Sequence, residues 1–149
     1  MASILIVDDD ARIQNLLLQL LKTKHHDGAT ADGGVHALEL LKQSAFDLVI
    51  TDLRMPDMDG LELLRKVKSV QPQIPVILVT AYASNNTTIE SVDLGVFDYL
   101  PKPFRVSELL SAVDRALEAA RDKKPSAKDH YSGNNLVIRE YLDVRAEQV

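Results

Sequence analysis

Residues 4–10 read Ile4-Leu5-Ile6-Val7-Asp8-Asp9-Asp10, four consecutive apolar side chains that stop at three carboxylates. A strand with one wet face alternates apolar and polar residues, so an unbroken apolar run indicates a strand covered on both faces. The signature recurs at Leu48-Val49-Ile50, which runs into Thr51-Asp52, and at Val76–Val79, which runs into Thr80. A shorter version, Phe97-Asp98-Tyr99-Leu100, leads to Lys102 between Pro101 and Pro103.

Helical periodicity fills the intervals. Ile13, Leu16, Leu17, Leu20 and Leu21 fall at i, i+3, i+4, i+7 and i+8, which predicts a helix with one apolar face and Asp10 as its N-cap. Ala37, Leu40 and Leu41 after Gly33-Gly34 predict a second helix. A third, carrying Leu63, Leu64, Val67 and Val70, opens at Asp59-Gly60 and closes before Pro72. Leu109, Leu110, Val113, Ala116, Leu117 and Ala120 predict a long last helix with Ser107 as cap. Two elements rest on less. His26–Ala31 has little β-branched content and a glycine, and its place in the alternation alone makes it a strand. Ser84–Ile89 starts a helix with poor helix formers and few apolar anchors, which predicts a weakly held element. Buried strands alternating with helices define an α/β doubly wound domain with a parallel sheet.

The 149 residues are 46% apolar and 26% charged, the composition of one globular domain with a short appendage. With no cysteine, Cys-ligated zinc, thiol catalysis and a disulfide framework are excluded. The longest apolar runs fall far short of the roughly 20 residues that span a bilayer. No basic segment precedes an apolar run at the N-terminus as in a signal peptide, so the reading is a cytoplasmic protein without membrane contact. Residues 1–121 hold 12 Lys and Arg against 17 Asp and Glu, and residues 122–149 hold 5 against 5. A net-acidic body lacks the basic footprint that displaces counterions from nucleic acid. Residues 122–149 read as a linker from Arg121-Asp122-Lys123-Lys124-Pro125 followed by a possible short helix with Val137, Ile138, Tyr141, Leu142 and Val144.

In a sheet of this kind ligands bind beyond the carboxyl ends of the strands. The strands deliver Asp8-Asp9-Asp10, Asp52, Thr80 and Lys102 to that edge. Crowded carboxylates raise one another's pKa unless a cation neutralises them. A hard divalent ion with oxygen ligands answers that need, and Mg²⁺ suits two carboxylates plus waters and a phosphoryl oxygen. Lys102 supplies further positive charge, and the Thr80 hydroxyl is placed to hydrogen-bond a phosphoryl group. Asp10 reads primarily as a helix cap. His25, His26, His36 and His130 lack paired ligand spacing and read as surface or helix-face residues.

Four fragments in order carry a resemblance: Ile-Leu-Ile-Val-Asp-Asp-Asp at 4–10, Asp-Leu-Val-Ile-Thr-Asp-Leu-Arg-Met-Pro-Asp-Met-Asp-Gly at 47–60, Pro-Val-Ile-Leu-Val-Thr-Ala-Tyr at 75–82 and Asp-Tyr-Leu-Pro-Lys-Pro-Phe at 98–104. Together they resemble the receiver domain of two-component response regulators over residues 3 to about 121. The resemblance implies a flavodoxin-like sheet of order 2-1-3-4-5 with five helices. It further implies that Asp52 accepts a phosphoryl group from a histidine kinase or histidine phosphotransfer protein. Asp9, Asp52 and the Arg54 backbone carbonyl would ligate Mg²⁺, with Asp8 acting through a metal-bound water. Thr80 and Lys102 would bind phosphoryl oxygens, Tyr99 would be the aromatic switch, and the Lys102-Pro103 peptide would be cis. A homodimer through the fourth helix, fifth strand and fifth helix is a family habit. In this reading the chain is a signalling module that catalyses only its own phosphorylation and slow dephosphorylation.

The polar second strand, Val96 in place of a common alanine and the His25-His26 pair depart from the family pattern, and none touches the acidic edge. A different class also uses an Asp-x-Asp after the first strand with a later Thr and Lys. In haloacid-dehalogenase-type phosphatases Asp8 would be the nucleophile and Asp10 the acid/base, but Asp52 would then have no task.

Overall fold

Each central strand divides its side chains between two cores, which is why its sequence is apolar without alternation. In the computed structural model, which describes residues 1–122, β1 (Ser3–Val7) sends Leu5 and Val7 to one face of the sheet and Ile4 and Ile6 to the other. Strand β3 (Leu48–Thr51) splits Val49 from Leu48 and Ile50, and β4 (Val76–Thr80) splits Val76 and Leu78 from Ile77 and Val79. The first core is closed by α2 (Gly34–Gln43), α3 (Gly60–Val70) and α4 (Asn85–Asp93), the second by α1 (Ala11–Lys22) and α5 (Val106–Asp122).

With β2 (Asp27–Ala31) and β5 (Asp98–Pro101) as edges, the five parallel strands are ordered β2-β1-β3-β4-β5. This is the flavodoxin-like sheet order that the resemblance implies. The polar, glycine-containing β2 is tolerated because it is an edge, with only Ala31 fully buried. Pro101 likewise ends the other edge strand, where its missing N–H is harmless.

Three expectations are corrected. Leu16, placed on the apolar stripe of α1, is 43% exposed, and the buried residues of that helix are Gln14, Leu17 and Leu21. The buried arc of the helix is thus rotated away from Leu16 and toward Gln14. Val70 ends α3 at 66% exposed, past the last turn that faces the sheet. Ser107 does not cap α5, which begins one residue earlier at Val106. There the Glu108 carboxylate accepts the Arg105 N–H, an interaction that ties off the residue before the helix. The short helix expected around Val137–Val144 lies outside the described residues. Helix α4 is as sparsely anchored as its composition suggests: its buried residues are Thr88, Ser91 and Val92. Its start is held by a capping box between Ser84 and Thr87. Among the described residues no helix is long and apolar enough to cross a membrane.

Helix α2 has no capping side chain of its own, because Gly33 stands at its N-cap. The Asp57 carboxylate arrives instead from the loop after β3, with Oδ1 accepting from Gly34 N at 3.1 Å and Oδ2 from Val35 N at 2.9 Å. The Val35 N–H foremost, with those of Gly34 and Met58, holds the Asp57 pKa below its ordinary value. Asp57→Ala is expected to lose about 0.5–1 kcal/mol in urea unfolding at pH 7, the range for an exposed helix cap. A depressed carboxylate pKa stabilises fully above the unfolded value, about 3.9 for aspartate. The difference between wild type and variant should therefore vanish as pH falls through and below that region.

Candidate functional site

The order β2-β1-β3 means that the chain leaves β1 toward one side of the sheet and β3 toward the other, opening a crevice between their carboxyl ends. Registers Val7↔Thr51 and Thr51↔Leu78 level these ends, so Asp8 and Asp52 leave adjacent strands at the same height. On the far side Thr80 pairs with Pro101, which brings Lys102 out beside them. Lys102 N donates to the Thr80 carbonyl at 2.8 Å, and the Lys102-Pro103 peptide is cis, as expected.

Both Asp8 and Asp52 are buried, while Asp9 is exposed at the rim. Asp8 Oδ1 accepts from Asp10 N at 2.9 Å, and Asp8 Oδ2 lies 3.1 Å from Lys102 Nζ. Asp52 Oδ1 accepts from Leu53 N at 2.7 Å, and its Oδ2 lies 3.6 Å from the same ammonium. One carboxylate oxygen from each of Asp8, Asp9 and Asp52 falls within 4.8 Å of the others, and no other such group of three occurs among the described residues. Two buried carboxylates thus share one ammonium, with the exposed third, Asp9, beside them. Burial drives the Asp8 pKa above its ordinary value, with Asp52 adding to the rise and the Asp10 N–H and Lys102 opposing it. The donor set is all oxygen, anionic and open on the Asp9 side, which fits a hard divalent cation such as Mg²⁺.

Asp10 faces away from this cluster. Its Oδ1 accepts from Arg12 N at 2.9 Å as the N-cap of α1, and its Oδ2 pairs with the Arg12 guanidinium at 3.2 Å. Thr80 is fully buried at the end of β4, where its hydroxyl oxygen accepts from Tyr82 N at 3.1 Å. The Tyr99 ring is buried against the first core, and its hydroxyl lies 3.0 Å from Thr87 Oγ1 in the first turn of α4. Of the histidines expected at the surface, His25 and His36 are exposed, and His26 Nδ1 accepts from Ala2 N at 3.1 Å at the opposite end of the sheet.

Two features escaped the sequence. The Arg54 guanidinium lies over the Tyr82 ring, 4.2 Å from its centroid, bridging the loops after β3 and β4. Gln14, outside the apolar stripe of α1, points its amide under the Asp8 backbone. A polar residue at i+1 from a stripe residue gives no signal of burial without knowledge of how the helix is rotated.

The family model of the response regulator receiver domain matches residues 4–114. Among curated proteins the chain is 36% identical over 146 residues to the transcriptional regulatory protein ZraR of Klebsiella oxytoca, covering 94% of this chain and 33% of that one. It is also 36% identical to the DNA-binding transcriptional regulator NtrC of Escherichia coli K12, covering 80% of this chain and 25% of that one. The chain thus spans about a quarter to a third of the length of these relatives. Among solved structures, a CheY-like response regulator receiver domain protein from Methanospirillum hungatei superposes with TM-score 0.80 at 31% identity, covering 83% of this chain and 99% of that one. The response regulator TrrA of Thermotoga maritima, solved in complex with Mg²⁺ and BeF, superposes with TM-score 0.72 at 32% identity, covering 78% of this chain and all of that one.

Proposed function

The chain belongs to the receiver domains of response regulators, and on that premise we propose a phosphorylation-controlled switch in which Asp52 accepts a phosphoryl group in a Mg²⁺-dependent reaction. The donor is a histidine kinase or histidine phosphotransfer protein, or a small acyl phosphate in its place. The observation that carries this reading is the sharing of Lys102 Nζ between Asp8 and Asp52 at the crevice, beside the exposed carboxylate of Asp9.

The Asp52 carboxylate attacks phosphorus in line, a P–O bond to Asp52 forms, and the P–N bond of phosphohistidine breaks with the imidazole taking the electron pair. Two anions must meet for this, and Lys102, already between two carboxylates, offsets their repulsion. Asp9, Asp52 and the Arg54 carbonyl would hold Mg²⁺, with Asp8 acting through a water. Bound there, the ion supplies charge neutralisation to the phosphoryl oxygens. TrrA in complex with Mg²⁺ and BeF supports a divalent site in this family.

Thr80 is the hydroxyl that turns toward a phosphoryl oxygen on Asp52, giving up its contact with Tyr82 N. Tyr99 follows, and its bond to Thr87 ties that movement to the start of α4, the helix with the fewest large buried side chains to resist it. The α4, β5 and α5 face is the surface re-posed, available to a partner or a second copy. Since its relatives are transcriptional regulators, we assign the output to transcription control by a part beyond residues 1–121, which form the receiver. The phosphatase alternative asks Asp10 to be an acid/base, yet its carboxylate is committed to capping α1 and to Arg12.

The test is to incubate the protein with acetyl phosphate and Mg²⁺, then reduce the acyl phosphate with borohydride, which converts a phosphorylated aspartate to homoserine. Peptide mass spectrometry should find homoserine at position 52, and none when EDTA replaces Mg²⁺. Homoserine at position 8 would replace this reading with the phosphatase one, and an unmodified chain would make it an interaction module that takes no phosphate.

A further inference from the structure

Gln14 is a polar side chain only 9% exposed on a helix whose stripe residue Leu16 is 43% exposed. Polar groups are buried at a loss unless their hydrogen bonds are met, so the partners of this amide matter. Its Nε2 donates to the Asp8 carbonyl oxygen at 2.6 Å and to Asp32 Oδ1 at 3.0 Å, with the Ala31 carbonyl at 3.5 Å. An amide nitrogen carries two hydrogens, and the two shorter contacts account for both.

The Asp8 carbonyl belongs to the peptide unit that joins Asp8 to Asp9. That unit is planar, so holding its oxygen fixes the relation between the two Cα atoms and the directions in which both carboxylates leave the chain. The strand side is already held by Asp8 N donating to the Ala31 carbonyl at 3.1 Å, and the Asp8 carboxylate by Asp10 N. Gln14 is the contact from α1 that restrains the peptide itself, and Asp32 braces the amide from the end of β2.

We infer that Gln14 is a positioning residue for the divalent cation site, setting the spacing of the Asp8 and Asp9 carboxylates through their shared peptide. It does not touch the ion. The inference rests on the reading that Asp8, Asp9 and Asp52 hold a divalent cation. Partners that orient metal ligands are worth about 10–100-fold in affinity, and a contact made through the backbone belongs at the low end.

The experiment is Mn²⁺ binding followed by the electron paramagnetic resonance of the free ion, on wild type, Asp9→Asn, Gln14→Met and Gln14→Arg. Methionine matches glutamine in length but cannot donate, and arginine keeps N–H donors for both the carbonyl and Asp32. Gln14→Met should weaken Mn²⁺ binding about tenfold, and Gln14→Arg should restore it to within about twofold of wild type on the same principle. A packing role alone would lower thermal stability and leave Mn²⁺ affinity unchanged, which overturns the inference. If Gln14→Met fails to fold by circular dichroism, Gln14→Leu carries the same expectation. Wild type that binds Mn²⁺ no better than Asp9→Asn would instead overturn the cation site, so the two failures are distinguishable.

Discussion

Lys102→Met should slow phosphorylation by acetyl phosphate about 100-fold, the loss that follows removal of one preorganised electrostatic donor, while tightening divalent cation binding. The two effects have opposite sign because the ammonium repels the cation but attracts the incoming phosphoryl group. At roughly 4 Å and an effective dielectric near 20, unit charges interact by about 4 kcal/mol. Lys102 Nζ lies 3.1 Å from Asp8 and 3.6 Å from Asp52. Rates read by intact mass and Mn²⁺ affinities read separately would check the pair of outcomes. Weaker cation binding together with slower phosphorylation would mean that the substitution had deformed the pocket, and the role given to Lys102 would fall.

The same variant has a pH signature. Burial already raises the Asp8 pKa, and Lys102 opposes that rise. Without Lys102 the folded state holds the Asp8 proton to higher pH, whereas the unfolded chain releases it at the ordinary aspartate value. Between those two values the folded state binds more protons, so stability falls as pH rises through the window. Metal-free Lys102→Met should therefore be less stable than wild type at neutral pH and recover as pH falls. Added Mg²⁺ should restore part of the deficit at neutral pH.

Gly60→Ala should disable the site from the opposite direction, by moving the backbone. A Cβ on Gly60 would lie 2.3 Å from the Asp52 carbonyl oxygen and 3.0 Å from Leu53 Cα. The obstacle is main chain, already drawn close by the bond from Gly60 N to the Leu53 carbonyl at 2.6 Å. Relief requires α3 to withdraw or the Asp52 peptide to shift, and overpacking of this kind destabilises by about 1–3 kcal/mol. A displacement near 1 Å of a reacting group lowers rates by about 100-fold. Phosphorylation measured well below the melting temperature should fall by that order.

Gly95→Ala is the control. Gly95 follows α4 with φ +89, a backbone conformation that side chains resist, and its neighbours are the methylenes of Lys68. It should lose about 1 kcal/mol of stability, the usual scale of a strained glycine replacement, with the phosphorylation rate unchanged. Equal loss of rate in both variants would mean that Gly60 acts only through global stability.

The pattern of residues along the chain determined the layers of this protein and the membership of its acidic edge. Three runs that are apolar on both faces and a shorter fourth that holds Asp98, interleaved with helical periodicity, admit few arrangements other than a covered parallel sheet. The carboxyl ends of such strands must meet on one edge, so the pattern assigns Asp8, Asp9, Asp10, Asp52, Thr80 and Lys102 to it, and of the carboxylates the structure turns only Asp10 aside, to cap α1. Local chemistry was equally legible where it was short in range, as at the Asp10 cap, whose carboxylate accepts from Arg12 N.

What only the tertiary structure decided involves contacts between segments distant in sequence. The rotation of α1 against the sheet exposes Leu16 and buries Gln14, a matter of how the helix lies across the twisted strands. The cap of α2 is Asp57, 23 residues from the Gly34 N–H it accepts, and no local motif announces a cap supplied from another loop. Tyr99 reaches Thr87 for the same reason. Sequence periodicity reports which face of an element is apolar on average, whereas the placing of one amide under one peptide plane depends on packing angles that the pattern does not encode.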